Sequence, residues 1–142
     1  MATAWDTSGL ETPPGRGEGL RVLVVEDDAD GPVTTAHLLR LEGHQVRIAA
    51  TGPAALAEAT AHPPDVVLLD VGLPGMDGWD LARRLRERAR QAQPVIIAVS
   101  GYPREADRLH SREAGVDFHL AKPADPEWLC HLLRRFQDLL GR

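Results

Sequence analysis

The chain has 142 residues, a length that fits one domain with a buried core. Its 43% hydrophobic and 26% charged residues are typical of a soluble globular protein, and its net charge of −5 argues against non-specific binding to nucleic acid or anionic membrane. A single cysteine, Cys130, excludes an internal disulfide and a cysteine-rich zinc site.

The N-terminal segment, residues 1–19, contains Pro13, Pro14 and four glycines without any apolar periodicity. This composition predicts a flexible tail or linker ahead of a single domain at residues 20–142. The segment lacks the basic and apolar regions of a secretory signal, and no apolar run in the chain approaches the roughly 20 residues of a membrane span. We therefore expect a cytoplasmic protein with no membrane contact.

From residue 20 onward, short runs of Val, Ile and Leu alternate with segments of helical spacing. The runs predict five strands, at residues 21–25, 45–49, 65–69, 95–99 and 117–121. The segments between and after them predict helices at about 30–43, 53–62, 78–92, 104–114 and 126–140. Strands that alternate with helices in this way indicate a parallel sheet covered on both faces.

Two strands indicate where they lie in that sheet. The third, VVLLD, is uniformly apolar, as expected of a central strand, whereas the second, QVRIA, alternates, as expected near an edge. The prediction is an α/β, flavodoxin-like doubly wound sheet of five strands in the order 2-1-3-4-5, with five helices.

Polar side chains stand at the carboxyl ends of four predicted strands. The first strand is followed by Glu26, Asp27 and Asp28, and the others by Asp70, Ser100 and Lys122. Ligands of open α/β sheets bind at this edge, where the strand order reverses, between strands 1 and 3 for the order 2-1-3-4-5.

The chemistry of these residues is restricted by their charge. Carboxylates about 4 Å apart repel by about 4 kcal/mol at an effective dielectric near 20, so a shared pocket must take up protons or a cation. Oxygen ligands of this kind suit Mg²⁺ together with a phosphate, and an aspartate beside Mg²⁺ and a lysine can become an acyl phosphate. The pattern therefore predicts phosphoryl chemistry. Asp28 is predicted to be structural or outward-facing, with contact to the metal site as the alternative.

The segments VLVVEDD, DVVLLDVGLPGMDGWDLARRLR, PVIIAVSGY and AGVDFHLAKPADP follow one another in the order and spacing of a known family. Over residues 20–140 the chain resembles the receiver domain of two-component response regulators. The resemblance implies a signalling domain rather than an enzyme, which takes a phosphoryl group from a histidine kinase or a histidine phosphotransfer protein and slowly dephosphorylates itself.

The resemblance also implies residue roles. Asp70 would be the phosphoacceptor, and Mg²⁺ (or Mn²⁺) would be held by Glu26, Asp27, Asp70 and the backbone carbonyl of Gly72. Ser100 and Lys122 would contact the phosphoryl oxygens, and the peptide bond before Pro123 would be cis. Phosphorylation would change the face formed by the fourth helix, fifth strand and fifth helix, where a protein partner rather than nucleic acid would bind. The chain would be either a stand-alone regulator or the receiver of a hybrid histidine kinase.

The sequence departs from the family pattern at His119, where relatives usually carry Tyr or Phe as a switch residue paired with the hydroxyl residue, here Ser100. Gly72 and Gly101 are also smaller than the residues often found there, which predicts a phosphoryl site that is more open to water.

Two other functions agree with part of the pattern. A phosphatase that forms an aspartyl phosphate generally needs a second acid two residues after the nucleophile, where this chain has Gly72. A flavin-binding electron carrier needs a phosphate-binding loop after strand 1, where the acidic EDDAD would repel phosphate.

The sequence also contains a run of arginines and five histidines without ligand spacing. The arginine run on the third predicted helix is predicted to be a solvated face or otherwise a partner contact, and the five histidines are predicted to lie on the surface. The arginines are Arg83, Arg84, Arg86, Arg88 and Arg90, and the histidines are His37, His44, His62, His110 and His131.

Overall fold

The fold is that of a computed structural model, which describes residues 19–26, 30–71, 77–89, 93–101, 109, 112–121 and 125–140, with backbone alone for 30–34. The predicted tail, residues 1–19, lies outside these ranges apart from Gly19. The strands are β1 (Arg21–Val25), β2 (Gln45–Ala49), β3 (Val66–Asp70), β4 (Val95–Ser100) and β5 (Phe118–Ala121).

All five strands are parallel, and they lie in the order β2-β1-β3-β4-β5. The predicted flavodoxin-like order 2-1-3-4-5 is therefore confirmed. Every residue of β3 is buried, as its uniformly apolar sequence predicts for a central strand. In the edge strand β2 only Val46 and Ala49 are buried.

Three of the four helices whose bounds the structure gives begin at capping residues that the sequence supplies. The four helices are α1 (Asp30–Leu41), α2 (Gly52–Ala61), α3 (Gly78–Arg88) and the C-terminal helix (Pro126–Leu139). The side chains of Thr51, Asp77 and Asp125 accept hydrogen bonds from backbone N–H groups in the first turns of α2, α3 and the C-terminal helix. Leu109 and residues 112–114 are helical, within the fourth predicted helix. No helix within the described ranges is long and apolar enough to cross a membrane.

Hydrophobic side chains form one cluster on each face of the sheet, because successive strand residues point to opposite faces. Leu23 and Val25 of β1 pack with α2 and α3, whereas Val22 and Val24 pack with α1 and the C-terminal helix. The helices contribute Leu56, Leu81 and Leu85 to the first cluster and Ala36, Leu39, Leu129 and Leu133 to the second.

Several helices and strands begin or end a few residues away from their predicted bounds. β3 begins at Val66 and includes Asp70, whose backbone pairs with Val99 of β4. Helix α3 ends at Arg88 rather than near residue 92, since Ala89 already has an extended backbone (φ −70°, ψ 114°). The shift at β3 makes Asp70 part of the hydrogen-bonded sheet.

The prediction of a solvated arginine face is wrong for Arg86. Its side chain is 22% exposed, and its guanidinium donates hydrogen bonds to the backbone oxygens of Gly115 and Pro94 and to the carboxylate of Asp117. Arg86 lies four residues after the buried Ala82, at the border of the apolar stripe of α3. The side chain therefore joins α3 to the segments that lead into β4 and β5.

The prediction of a surface position is also wrong for His44. This side chain is 5% exposed, and its Nδ1 accepts a hydrogen bond of 3.0 Å from the backbone N–H of Leu20. Burial lowers the pKa of His44 below its usual 6.5; among the nearby charges, Arg134 lowers the pKa further and Glu42 opposes the decrease. Neutral His44 thus bonds to the backbone of the residue before β1. It lies at the opposite end of the strands from Asp70 and Ser100.

Candidate functional site

Three polar side chains stand at the carboxyl ends of neighbouring strands. Asp70 is the last residue of β3, Ser100 is the last residue of β4, and Glu26 follows the last residue of β1. In the sheet register Val25 pairs with Leu69, so Glu26 comes level with Asp70 at the point where the strand order reverses. The backbone N–H of Glu26 still bonds to the oxygen of Ala49 at 3.0 Å, which extends the order of the sheet to this residue.

Burial distinguishes two of these side chains. Asp70 is 7% exposed and Ser100 is 8% exposed, and His44 is the other buried polar side chain among the residues that the structure describes. A carboxylate loses favourable hydration when it is buried, so a buried aspartate needs polar or charged partners. Its position at the end of a central strand, where ligands of this fold class bind, makes Asp70 the leading candidate for a functional residue.

His119 lies on β5 and reaches Ser100 on the neighbouring strand. Its Nε2 lies 2.8 Å from the hydroxyl oxygen of Ser100, which is hydrogen-bonding distance. The imidazole ring also meets Trp79 edge to face, with ring centroids 5.8 Å apart and an interplanar angle of 63°. The histidine that departs from the family pattern is therefore directed toward the strand ends.

The contact with Trp79 depends on how α3 begins. Asp77 accepts a hydrogen bond of 2.9 Å from the backbone N–H of Trp79, which fixes the first turn of the helix. Gly78 lies so close to the end of β3 that an added Cβ would stand 2.5 Å from the Cα of Val71. Sequence analysis did not identify Trp79 as part of the site, since its partner is 40 positions away in the chain. The available signal in the sequence is an aromatic residue two positions after a capping aspartate, Asp77.

Gly101, the residue after Ser100, has space where a side chain would stand. A Cβ built on Gly101 would meet no heavy atom within 4 Å. The expectation of a phosphoryl site that is more open to water stays a prediction.

The other predicted site residues lie outside the described residues. They are Asp27, Gly72, Lys122 and Pro123, together with Asp28, and their roles stay predictions. Within the described ranges, no group of three or more His, Cys, Asp and Glu side chains is arranged to hold a metal ion. Glu26 and Asp70 nevertheless bring two carboxylates to adjacent strand ends, and oxygen donors of this kind are what Mg²⁺ prefers.

The strand order defines a doubly wound α/β protein, and its candidate site consists of polar residues at the carboxyl edge of the sheet. Within that class, the chain belongs to the response regulator receiver domain family, whose sequence model matches residues 22–134.

Similar proteins agree with this assignment. The sensory transduction protein RegX3 of Mycobacterium bovis is 43% identical over 121 residues, which cover 85% of this chain and 51% of RegX3. The chain thus spans about half the length of this relative. A CheY-like receiver domain protein from Methanospirillum hungatei JF-1 superimposes with a TM-score of 0.77 at 30% identity, covering 84% of this chain and 94% of that one.

A third similar protein was solved with a metal ion. The receiver domain of the sensor histidine kinase PA1611 from Pseudomonas aeruginosa PAO1 has a TM-score of 0.74 and 30% identity, covering 84% of this chain and 98% of that one. In that structure a magnesium ion is coordinated in the active site cleft.

Proposed function

We propose that this chain is the phosphoacceptor of a two-component phosphorelay, in which Asp70 accepts a phosphoryl group from a phosphohistidine. The observation that supports this most directly is a buried aspartate at the end of the central strand β3, next to the point where the strand order reverses. Membership in the receiver domain family makes phosphoryl acceptance the leading interpretation of that aspartate.

In the proposed reaction a carboxylate oxygen of Asp70 attacks the phosphorus atom of the donor. A new P–O bond forms while the P–N bond of the phosphohistidine breaks, and the electron pair of the P–N bond stays on the imidazole nitrogen of the donor. The product on this chain is an acyl phosphate. The donor would be a histidine kinase or a histidine phosphotransfer protein.

The proposed metal ligands are Glu26, Asp27, Asp70 and the backbone carbonyl of Gly72. A bound Mg²⁺ (or Mn²⁺) supplies positive charge against the phosphoryl oxygens, which would otherwise be repelled by these carboxylates. Glu26 and Asp70 contribute two of the required oxygen donors at adjacent strand ends. Lys122 would place a further positive charge next to the phosphoryl group, and Ser100 would donate a hydrogen bond to it.

The proposed output surface consists of the fourth predicted helix, β5 and the C-terminal helix. Each of these three segments carries an exposed large apolar side chain, namely Leu109, Phe118 and Trp128. Phe118 is also in contact with Phe136 of the C-terminal helix, with ring centroids 5.8 Å apart. Exposed apolar groups on these three segments support a protein partner for the proposed surface.

The test is phosphorylation by phosphoramidate or acetyl phosphate with Mg²⁺, followed by intact mass measurement. We expect wild type to gain one phosphoryl group and Asp70→Asn to gain none. Asp80→Asn is the matched control, because Asp80 is partly exposed on α3 and pairs with Arg84, and it should be phosphorylated like wild type. A wild-type protein that gains no phosphoryl group, or an Asp70→Asn variant that gains it equally, contradicts the proposal.

A further inference from the structure

The hydrogen bond between Ser100 and His119 limits what the serine hydroxyl can do. A hydroxyl group has one proton to donate and two lone pairs that accept. If Ser100 donates that proton to Nε2 of His119, the proton is no longer available to a phosphoryl oxygen. If Nε2 carries the proton and donates it, the hydroxyl accepts this bond and keeps its own proton for another acceptor.

The register of β4 and β5 places the side chains of Ser100 and His119 next to each other. The backbone of His119 pairs with that of Ala98, two residues before Ser100 on β4, and Ser100 pairs with Ala121. Because residues two apart on a strand share a face, Ser100 and His119 project from the same face of adjacent strands. The edge-to-face contact with Trp79 then fixes the imidazole from the side of α3.

We propose that His119 is a positioning residue, which donates its Nε2–H to Ser100 and thereby directs the serine proton toward the phosphoryl group on Asp70. This inference rests on the proposed function of Asp70. A phenylalanine at position 119 has no polar atom, so it cannot orient the hydroxyl in this way. The imidazole thus contributes to phosphoryl transfer through a hydrogen bond to the serine hydroxyl.

The experiment is a double-mutant cycle on the rate of phosphorylation by phosphoramidate with Mg²⁺, measured by intact mass over time. The variants at position 119 are His119→Phe and His119→Leu, which both lack a polar atom, and His119→Gln, which restores an N–H donor at a similar reach. Each variant is measured in the wild-type background and in the Ser100→Ala background. Far-UV circular dichroism confirms folding, and the leucine variant replaces the phenylalanine variant if the latter does not fold.

We expect His119→Phe and His119→Leu to slow phosphorylation by about five- to tenfold, the effect of one hydrogen bond, and His119→Gln to restore most of the rate. In the Ser100→Ala background all residues at position 119 should give the same rate, because the hydroxyl through which His119 acts is gone. A merely structural role would slow both backgrounds equally.

Two results overturn the inference: wild-type rates in the apolar variants, or an equal loss in the Ser100→Ala background. If wild-type protein gains no phosphoryl group at all, the proposed function of Asp70 fails instead, so the two failures are distinguishable.

Discussion

Replacement of Arg86 by methionine tests how this chain fastens α3 to the sheet. Methionine keeps an unbranched apolar side chain in place of the arginine methylenes but removes the guanidinium. The backbone oxygen of Gly115 then loses bonds of 2.9 and 2.6 Å from Nε and Nη2, and the oxygen of Pro94 loses its bond from Nη1. Asp117 loses its ion pair but still accepts a bond of 2.8 Å from the backbone N–H of Ile96.

The size of the effect follows from the burial of these groups. A hydrogen bond from a charged donor contributes about 1.5–3 kcal/mol when it is buried, and an exposed ion pair contributes about 0–1 kcal/mol. The guanidinium of Arg86 is mostly buried, and the carboxylate of Asp117 is 41% exposed, so the carbonyl bonds dominate. We expect Arg86→Met to lower the free energy of unfolding by about 2–3 kcal/mol.

The assay is urea unfolding followed by far-UV circular dichroism. With a slope of about 1–3 kcal/mol per molar urea, the midpoint should fall by about 0.7–3 M at an unchanged slope. The control is Arg84→Met on the same helix, where the arginine pairs with Asp80 at 2.9 Å and both side chains are well exposed. That pair should contribute about 0.3–0.5 kcal/mol. Equal losses in the two variants would refute the reasoning.

Two further predictions concern stability. Because burial holds the pKa of His44 below 6.5, the folded protein binds fewer protons than the unfolded chain, so the stability from neutral His44 is complete above that pH and falls as the pH decreases toward the folded-state pKa. In urea unfolding at about pH 7.5 and 5.5, the free energy of unfolding should therefore change less with pH in His44→Gln than in wild type. An equal change with pH in the two proteins would contradict this role of His44. Gly78→Ala should lower the thermal midpoint because its Cβ would meet the backbone of Val71, whereas Gly101→Ala, which meets nothing within 4 Å, should leave the midpoint near wild type. A wild-type midpoint in Gly78→Ala would contradict the close packing at that position.

The local pattern of the sequence was sufficient to predict the order of elements. Runs such as VVLLD and QVRIA reflect burial on two faces or one, and this burial follows from where a strand lies in the sheet. Parallel strands also bring their carboxyl ends to one edge, so the meeting of Glu26, Asp70 and Ser100 follows once the strand order is known. Element ends were less accurate, as at β3, because hydrogen bonds to neighbouring strands decide them.

The contacts between distant side chains needed the tertiary structure. Arg86 meets the oxygen of Gly115 across 29 positions of the chain, and His44 meets the N–H of Leu20 across 24. Local periodicity does not predict such pairs, because they depend on how helices and strands that are distant in the sequence pack together. The same holds for the hydrogen bond between Ser100 and His119.

The sequence by itself therefore determined the fold class, the strand order and the edge of the sheet where polar groups gather. Hydrophobic periodicity is visible within short segments, and the order of those segments along the chain indicates the topology. Only the tertiary structure decided which arginine joins α3 to the segments before β4 and β5, which histidine is buried and which residue His119 contacts. These outcomes depend on the distance and exposure of groups that are far apart in the chain, and packing alone brings them together.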